Sequence, residues 1–165
     1  MEKRTVLFVD DEEKILRSLK RVFVGEPYKT LFVNSGKLAL DILKKKQVHV
    51  IITDIRMPGM DGHELLKTVK NKYPNVIRLV LSGYSDKDTL LHAINQGEIF
   101  RYITKPWKLN EELKTIVRQA IEFFDLHSER ESLLNFIEKM AEEPDLEKVD
   151  FRYAVKMLIS ARDKR

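Results

Sequence analysis

The sequence predicts an α/β protein in which helices cover both faces of a parallel sheet of five strands. Two observations carry this prediction. Five short apolar runs rich in branched residues are bounded by turn residues, and segments with apolar side chains at helical spacing lie between them. The first run, 6–9, is continuously apolar, which is typical of a strand buried on both faces. Strands that alternate with helices in this way predict a doubly wound sheet.

The first half of the chain follows this alternation. A strand over 6–9 precedes a helix with apolar residues over 15–23, and a strand over 28–33 ends at the turn Asn34-Ser35-Gly36. A second helix over 38–43 ends in three lysines, which are favourable near a helix C-terminus. A third strand over 48–53 then ends at Asp54.

The second half repeats the pattern after a loop over 57–62. A third helix carries apolar residues over 65–69, and a strand over 76–81 ends at Ser82. A fourth helix is predicted over 86–96, where it stops at Gly97. The last strand, 100–104, ends at Lys105.

Residues 109–141 contain neither glycine nor proline and predict one long helix of roughly 50 Å at 1.5 Å per residue. Its first half has an apolar stripe that suits docking on the sheet, and its outer half needs another surface. We expect a compact domain over 1–125 and a helical extension over 126–165 that serves as a dimerising coiled coil or a linker. His127 and Arg130 interrupt a strict heptad, and a short amphipathic helix around 151–159 follows the break at Pro144.

Composition excludes several classes of protein. The chain has 165 residues, of which 43% are hydrophobic and 34% charged, and it has no cysteine, so disulfides and thiolate metal sites are excluded. It has no apolar run of membrane-spanning length, and from its first residues we expect no secretory signal. We therefore expect a cytoplasmic protein. The net charge of +4 is modest and acidic residues interleave with the basic ones, so no direct nucleic-acid binding is evident.

Four strand ends carry side chains that could bind a ligand or take part in a reaction. They are Asp10 with Asp11, Asp54, Ser82 and Lys105. The carboxyl ends of parallel strands meet at one edge of a sheet, where ligands bind at the point of strand-order reversal. We expect the five side chains to gather there.

These residue types make a coherent set. Crowded carboxylates repel one another unless a cation neutralises them, and a hard cation such as Mg²⁺ prefers oxygen ligands. A metal, an ammonium and a hydroxyl are the groups that stabilise a transferring phosphoryl group, and one carboxylate can then act as the nucleophile.

The motifs resemble the receiver domain of two-component response regulators over about residues 4–125. The likeness lies in VLFVDDE, in VIITDIRMPGMDG, in LVLSGYSD and in KPW. The resemblance implies a flavodoxin-like sheet of order 2-1-3-4-5. It also implies that a sensor histidine kinase phosphorylates Asp54 with Mg²⁺ or Mn²⁺ as cofactor.

The resemblance also implies roles for the surrounding residues. Asp11, Asp54 and the backbone carbonyl of Arg56 would be direct metal ligands, and Asp10 would act mainly through a metal-bound water. Ser82 would hydrogen-bond the phosphoryl oxygens and Lys105 would pair with them. The Lys105-Pro106 bond is expected to be cis.

Three further positions would regulate the site. Tyr102 would turn inward as Ser82 moves, which would change the surface of the fourth helix, the fifth strand and the fifth helix. A half-buried strand aromatic is an equally good interpretation of Tyr102. Arg56 and Tyr84 would set the lifetime of the phosphoryl group.

The output remains open. The segment INQGEIFRYITKPW is similar to receivers that begin longer regulators. One alternative is a switch that forms a homodimer through its long helix and contacts an unknown downstream protein. The other is the first part of a longer regulator, either a cyclic-dinucleotide phosphodiesterase or a transcription activator. The protein would catalyse only its own phosphorylation and dephosphorylation.

The sequence fits two other classes of function less well. A haloacid-dehalogenase-type phosphatase needs a second aspartate two residues after the first, where this chain has Glu12 and Arg56. A phosphorylation-independent interaction module is the other alternative, and the presence of all five site residues argues against it.

Overall fold

The computed structural model describes residues 3–83, 99–107 and 110–142, with side chains described as far as 139. Within these residues five parallel strands form one sheet in the order β2-β1-β3-β4-β5. The predicted fold class and strand order are therefore confirmed. The strands are β1 (Thr5–Val9), β2 (Lys29–Val33), β3 (Val50–Thr53), β4 (Ile77–Ser82) and β5 (Arg101–Thr104).

Four helices are described, and two of them have side-chain caps at their N-termini. The helices are α1 (Glu13–Val22), α2 (Gly36–Lys45), α3 (Gly62–Lys72) and α4 (Asn110–Glu142). The hydroxyl of Ser35 accepts the N–H of Leu38, and the carboxylate of Asp61 accepts the N–H of Glu64, which satisfies donors that a helix start leaves unpaired.

The long helix α4 corresponds to the helix predicted over 109–141, which is confirmed. Three other predictions lie outside the described residues: the helix over 86–96, the terminal helix around 151–159, and the position of Tyr84.

Two apolar layers sandwich the sheet. One layer packs α1 and α4 on side chains from β1, β3 and β4, with Phe8, Leu19, Leu79 and Val117 among its buried members. The other packs α2 and α3 on the opposite face, with Leu7 and Leu65 fully buried. Burial on both sides explains the continuous apolar runs of the central strands.

The described chain divides into two units, one of residues 3–127 and one that contains α4 from residue 128 onward. The first half of α4 belongs to the first unit and buries Leu113, Val117 and Ala120. In the second unit the described part of α4 exposes Leu134, Phe136 and Ile137. None of the described helices combines the length and the apolarity that crossing a membrane requires.

Candidate functional site

Two aspartates lie side by side at the carboxyl edge of the sheet. Asp10 follows β1 and Asp54 follows β3, and these neighbouring strands end in register, with Val9 opposite Thr53. The backbone N–H of Asp54 donates to the carbonyl of Val9 at 2.9 Å, which holds the two strand ends together. The strand order reverses between β1 and β3, the position where this class of sheet binds ligands.

Three carboxylates cluster at this edge. Asp10, Asp11 and Asp54 each offer one oxygen, and the three oxygens lie within 4.8 Å of one another. Asp10 is 1% exposed and Asp54 is 7% exposed, whereas Asp11 is more accessible to solvent. Oδ1 of Asp10 also accepts the backbone N–H of Glu12 at 2.9 Å, which orients that carboxylate before α1 begins.

Lys105 brings a positive charge into the same cluster. Its ammonium lies 2.6 Å from Oδ2 of Asp10 and 3.3 Å from Oδ1 of Asp54. The backbone N–H of Lys105 donates to the carbonyl of Ser82 at 2.7 Å, and the Lys105–Pro106 peptide bond is cis. The hydrogen bond to Ser82 holds the residue after β5 beside the end of β4.

Burial and charge act in opposite directions on the site's titratable groups. Burial raises the pKa of the Asp54 carboxyl above its ordinary value, and the charge of Lys105 only partly offsets this while the charge of Asp10 adds to it. Burial alone would lower the pKa of Lys105, but its hydrogen bond to Asp10 and the negative charge around it raise that pKa overall. The ammonium therefore stays charged at neutral pH.

Ser82 lies at the same edge as the last residue of β4. It is 1% exposed, pairs in register with Thr104, and its hydroxyl donates to the carbonyl of Gly83 at 3.1 Å. The structure thus places the predicted residues Asp10, Asp11, Asp54, Ser82 and Lys105 at one end of the sheet.

The structure also describes two further predicted residues, Arg56 and Tyr102. Arg56 is exposed in the loop two residues after Asp54. Tyr102 is 39% exposed and lines a cavity of about 310 Å³. The described residues around that cavity are Tyr102, Ile103, Thr104, Pro106, Trp107, Glu112, Leu113 and Ile116.

Three residues near the acceptor position were not singled out from the sequence. Glu12 lies 3.9 Å from the Lys105 ammonium, and Thr53 and Gly62 contact the backbone of Asp54. The acidic run Asp10-Asp11-Glu12 was a usable signal for the first of these. Thr53, which precedes Asp54, and Gly62, which follows the N-cap of α3, have no comparable pattern in the sequence that would indicate their contacts.

The donor set fits a hard divalent cation. All three clustered side chains offer carboxylate oxygens, and one ammonium leaves the group negatively charged. Both oxygens of Asp10 already have partners, the Glu12 N–H and Lys105, whereas Asp11 is more accessible, so Asp11 is better able than Asp10 to bind a metal directly. Oxygen ligands of this kind suit Mg²⁺ or Mn²⁺ better than softer metals.

Comparison with known proteins gives a consistent match. Residues 6–118 match the family described as response regulator receiver domain. The hydrogenase transcriptional regulatory protein HoxA of Cupriavidus necator is 41% identical over 118 residues, 72% of this chain and 24% of its own length. The DNA-binding transcriptional regulator NtrC of Klebsiella pneumoniae is 32% identical over 82% of this chain and 29% of its own length.

A solved structure matches over nearly its whole length. The signal receiver domain of an HD domain-containing protein from Pseudomonas fluorescens Pf-5 is 37% identical, with a TM-score of 0.72, covering 79% of this chain and 94% of that one. By contrast, this chain spans only about a quarter of the two curated relatives named above.

Proposed function

The chain belongs to the response regulator receiver domain family, and on that premise we propose that Asp54 accepts a phosphoryl group from a sensor histidine kinase. The observation that carries the proposal is the position of Asp54. Its carboxylate lies among two other carboxylates and the Lys105 ammonium, at the carboxyl edge where the strand order reverses.

The proposed reaction is a nucleophilic displacement. A carboxylate oxygen of Asp54 attacks the phosphorus of a phosphohistidine, the P–N bond breaks, and an aspartyl phosphate forms while the imidazole leaves with a proton. Lys105 pairs with the phosphoryl oxygens and Ser82 donates its hydroxyl to them. Both groups counter the charge on those oxygens.

Asp11, Asp54 and the backbone carbonyl of Arg56 would hold a divalent cation, with Asp10 acting through water. The cation supplies charge neutralisation for the transferring group. Support comes from the three clustered oxygens, and the two existing partners of Asp10 favour the more accessible Asp11 over Asp10 as a direct ligand.

Ser82 and Tyr102 are proposed as the switch, and Arg56 and Tyr84 as the residues that set the lifetime of the phosphoryl group. The exposed Tyr102 beside its cavity leaves room for rearrangement. If variants of both Arg56 and Tyr84 lose the phosphoryl group at the wild-type rate, the lifetime role is wrong.

The direct experiment is incubation with acetyl phosphate and Mg²⁺, followed by intact-mass spectrometry. We expect a mass gain of one phosphoryl group that Asp54→Asn abolishes. Asp41→Asn is a matched control, because Asp41 is a solvent-accessible aspartate of α2 that pairs with Lys44. Labelling that persists in Asp54→Asn would contradict the proposal.

We further infer that the chain serves as the receiver portion of a larger regulator and acts in the cytoplasm, where ATP-dependent kinases work. Its relatives include transcriptional regulators about four times as long as the matched segment. The protein would catalyse only its own phosphorylation and dephosphorylation.

A homodimer through α4 is the proposed oligomer. Support comes from the apolar side chains that α4 exposes in both units, which are Phe123, Leu126, Leu134, Phe136 and Ile137. Light scattering with and without acetyl phosphate tests this proposal, and a monomer in both conditions would refute it.

A further inference from the structure

The residue before Asp54 makes a buried hydrogen bond that the proposed reaction does not yet use. Thr53 is the last residue of β3 and is 0% exposed. Its hydroxyl Oγ1 donates to the backbone carbonyl oxygen of Asp54 at 2.8 Å. A buried polar pair of this kind costs free energy to break, so it restrains the carbonyl that it binds.

The restrained carbonyl is bonded to the Cα that carries the acceptor carboxylate, so the bond from Thr53 limits rotation of the Asp54 backbone beside that side chain. A peptide group is planar, and in the trans form its C=O and N–H point in opposite directions. Rotating the Asp54 carbonyl away from Thr53 would therefore also turn the backbone N–H of Ile55, which favours the ionised form of the Asp54 carboxyl and acts to lower its pKa.

Gly62 packs on the backbone of Asp54 and Ile55 and bonds the carbonyl of the next peptide group. Its backbone N–H donates to the carbonyl of Ile55 at 2.8 Å. A Cβ on Gly62 would overlap the Asp54 carbonyl oxygen and lie 2.8 Å from the Cα of Ile55. The start of α3 thus packs directly on the segment that Thr53 orients.

We propose that Thr53 is a positioning residue for phosphoryl transfer, whose hydroxyl sets the orientation of the peptide between Asp54 and Ile55 and through it the orientation of the acceptor carboxylate. This inference rests on the proposed function of Asp54. The Arg56 carbonyl proposed for the metal lies two peptides farther along the chain, so the hydroxyl also anchors the start of that loop.

The test compares two substitutions that separate the hydroxyl from the methyl group of Thr53. Thr53→Val keeps the shape and removes the hydroxyl, whereas Thr53→Ser keeps the hydroxyl and removes the methyl group. We expect Thr53→Val to be labelled by acetyl phosphate and Mg²⁺ about tenfold more slowly, since a small displacement of a reacting group costs that much or more. Thr53→Ser should retain most of the wild-type rate.

Thr68→Val is the matched control. Thr68 also donates its hydroxyl to a backbone carbonyl, that of Glu64 in α3, at 2.9 Å. It should be labelled at the wild-type rate. Unfolding midpoints measured on the same variants show whether each is folded, and if Thr53→Val is unfolded, Thr53→Ala against Thr53→Ser makes the same comparison.

The outcomes separate this inference from the proposed function. Labelling at the wild-type rate in Thr53→Val overturns the role of Thr53 alone. Thr53→Ser slower than Thr53→Val also overturns it, because packing of the methyl group would then matter more than the hydroxyl. Failure of the wild-type protein to be labelled at Asp54 overturns the proposed function instead.

Discussion

The ammonium nitrogen of Lys105 lies 2.6 Å from Oδ2 of Asp10, so an ion pair joins the residue after β5 to the residue after β1. Both side chains are largely buried, with 13% and 1% of their surfaces exposed. The pair spans the carboxyl edge of the sheet, and the ammonium also faces Asp54 at 3.3 Å. Two buried carboxylates therefore share one lysine as their counter-charge.

Lys105→Gln should destabilise the protein when divalent cations are removed with EDTA. Without the ammonium, two buried carboxylates lose their counter-charge, and breaking such a buried pair costs about 3 kcal/mol in the free energy of unfolding. Urea unfolding measures the loss. Excess MgCl₂ should stabilise this variant more than the wild type, because a cation restores the missing charge.

Lys45→Gln, at an exposed position near the end of α2, provides the control and should be within about 0.5 kcal/mol of the wild type. Equal stability of Lys105→Gln and Lys45→Gln in EDTA would contradict the role of Lys105 as the internal counter-charge.

Asp54→Asn should be more stable than the wild type at neutral pH in EDTA. Burial, helped by the charge of Asp10, raises the pKa of Asp54 above its ordinary value of 3.8 in the folded protein. The folded state therefore binds a proton more readily than the unfolded state. The stabilising contribution of Asp54 is therefore present below pH 3.8, where its carboxyl is protonated, and is lost as the pH rises through the pKa of Asp54 in the folded protein.

Unfolding curves across a pH series test this expectation. The gap between Asp54→Asn and the wild type should be widest near neutral pH and should narrow in acid. The accessible Asp41→Asn has no such burial and should show no comparable gap. A neutral-pH stability of Asp54→Asn below that of the wild type would show that Lys105 outweighs burial.

The sheet and the main site residues could be predicted from the sequence because both depend on simple patterns. Continuous apolar runs indicate strands buried on two faces, and parallel strands bring their carboxyl ends to one edge. The sequence therefore predicts one shared location for the strand-end residues Asp10, Asp54, Ser82 and Lys105. Strand limits were less accurate: β3 begins at Val50, two residues later than predicted, although His49 is buried just before it.

Backbone contacts and long-range pairs could not be predicted in this way. The hydroxyl of Thr53 matters through the carbonyl of its neighbour, and Gly62 matters because α3 starts against Asp54. Neither contact produces a periodic pattern of residues in the sequence. Glu26 and Arg118 are 92 positions apart, and their ion pair depends on how α4 packs beside the loop after α1.

Gly62→Ala should destabilise the protein and slow its labelling by acetyl phosphate. A methyl group at this position would overlap the carbonyl oxygen of Asp54, and backbone cannot give way as a flexible side chain can. Overpacking of this kind costs about 2 kcal/mol. Gly83→Ala is the stability control, since in the described part of the chain no atom beyond the adjoining residues lies within 4 Å of a Cβ placed there. If denaturant unfolding gives the same free energy of unfolding for Gly62→Ala and Gly83→Ala, the close approach of α3 to Asp54 is contradicted.

Glu26→Gln should weaken the attachment of α4 to the loop after α1. Oε1 of Glu26 lies 3.0 Å from Arg118 and 3.5 Å from Lys114, and only 6% of the Glu26 side chain is exposed. At neutral pH we expect a loss of about 1 kcal/mol in the free energy of unfolding, the upper range for pairs with an exposed partner. High salt should reduce the loss by screening.

The pH dependence of the Glu26 effect has a definite sign. The pKa of Glu26 lies below its ordinary value of 4.5, mainly because Arg118 donates a hydrogen bond to its carboxylate. The charges of Arg118 and Lys114 add to this, and partial burial opposes it only in part. Its contribution is therefore present above pH 4.5 and is lost as the pH falls through the lower folded value. The unfolding curves of Glu26→Gln and the wild type should converge in acid, while Glu122→Gln, at an exposed position of α4, should follow the wild type throughout. A gap between Glu26→Gln and the wild type that persists unchanged in acid would mean that shape, and not charge, holds Glu26 in place.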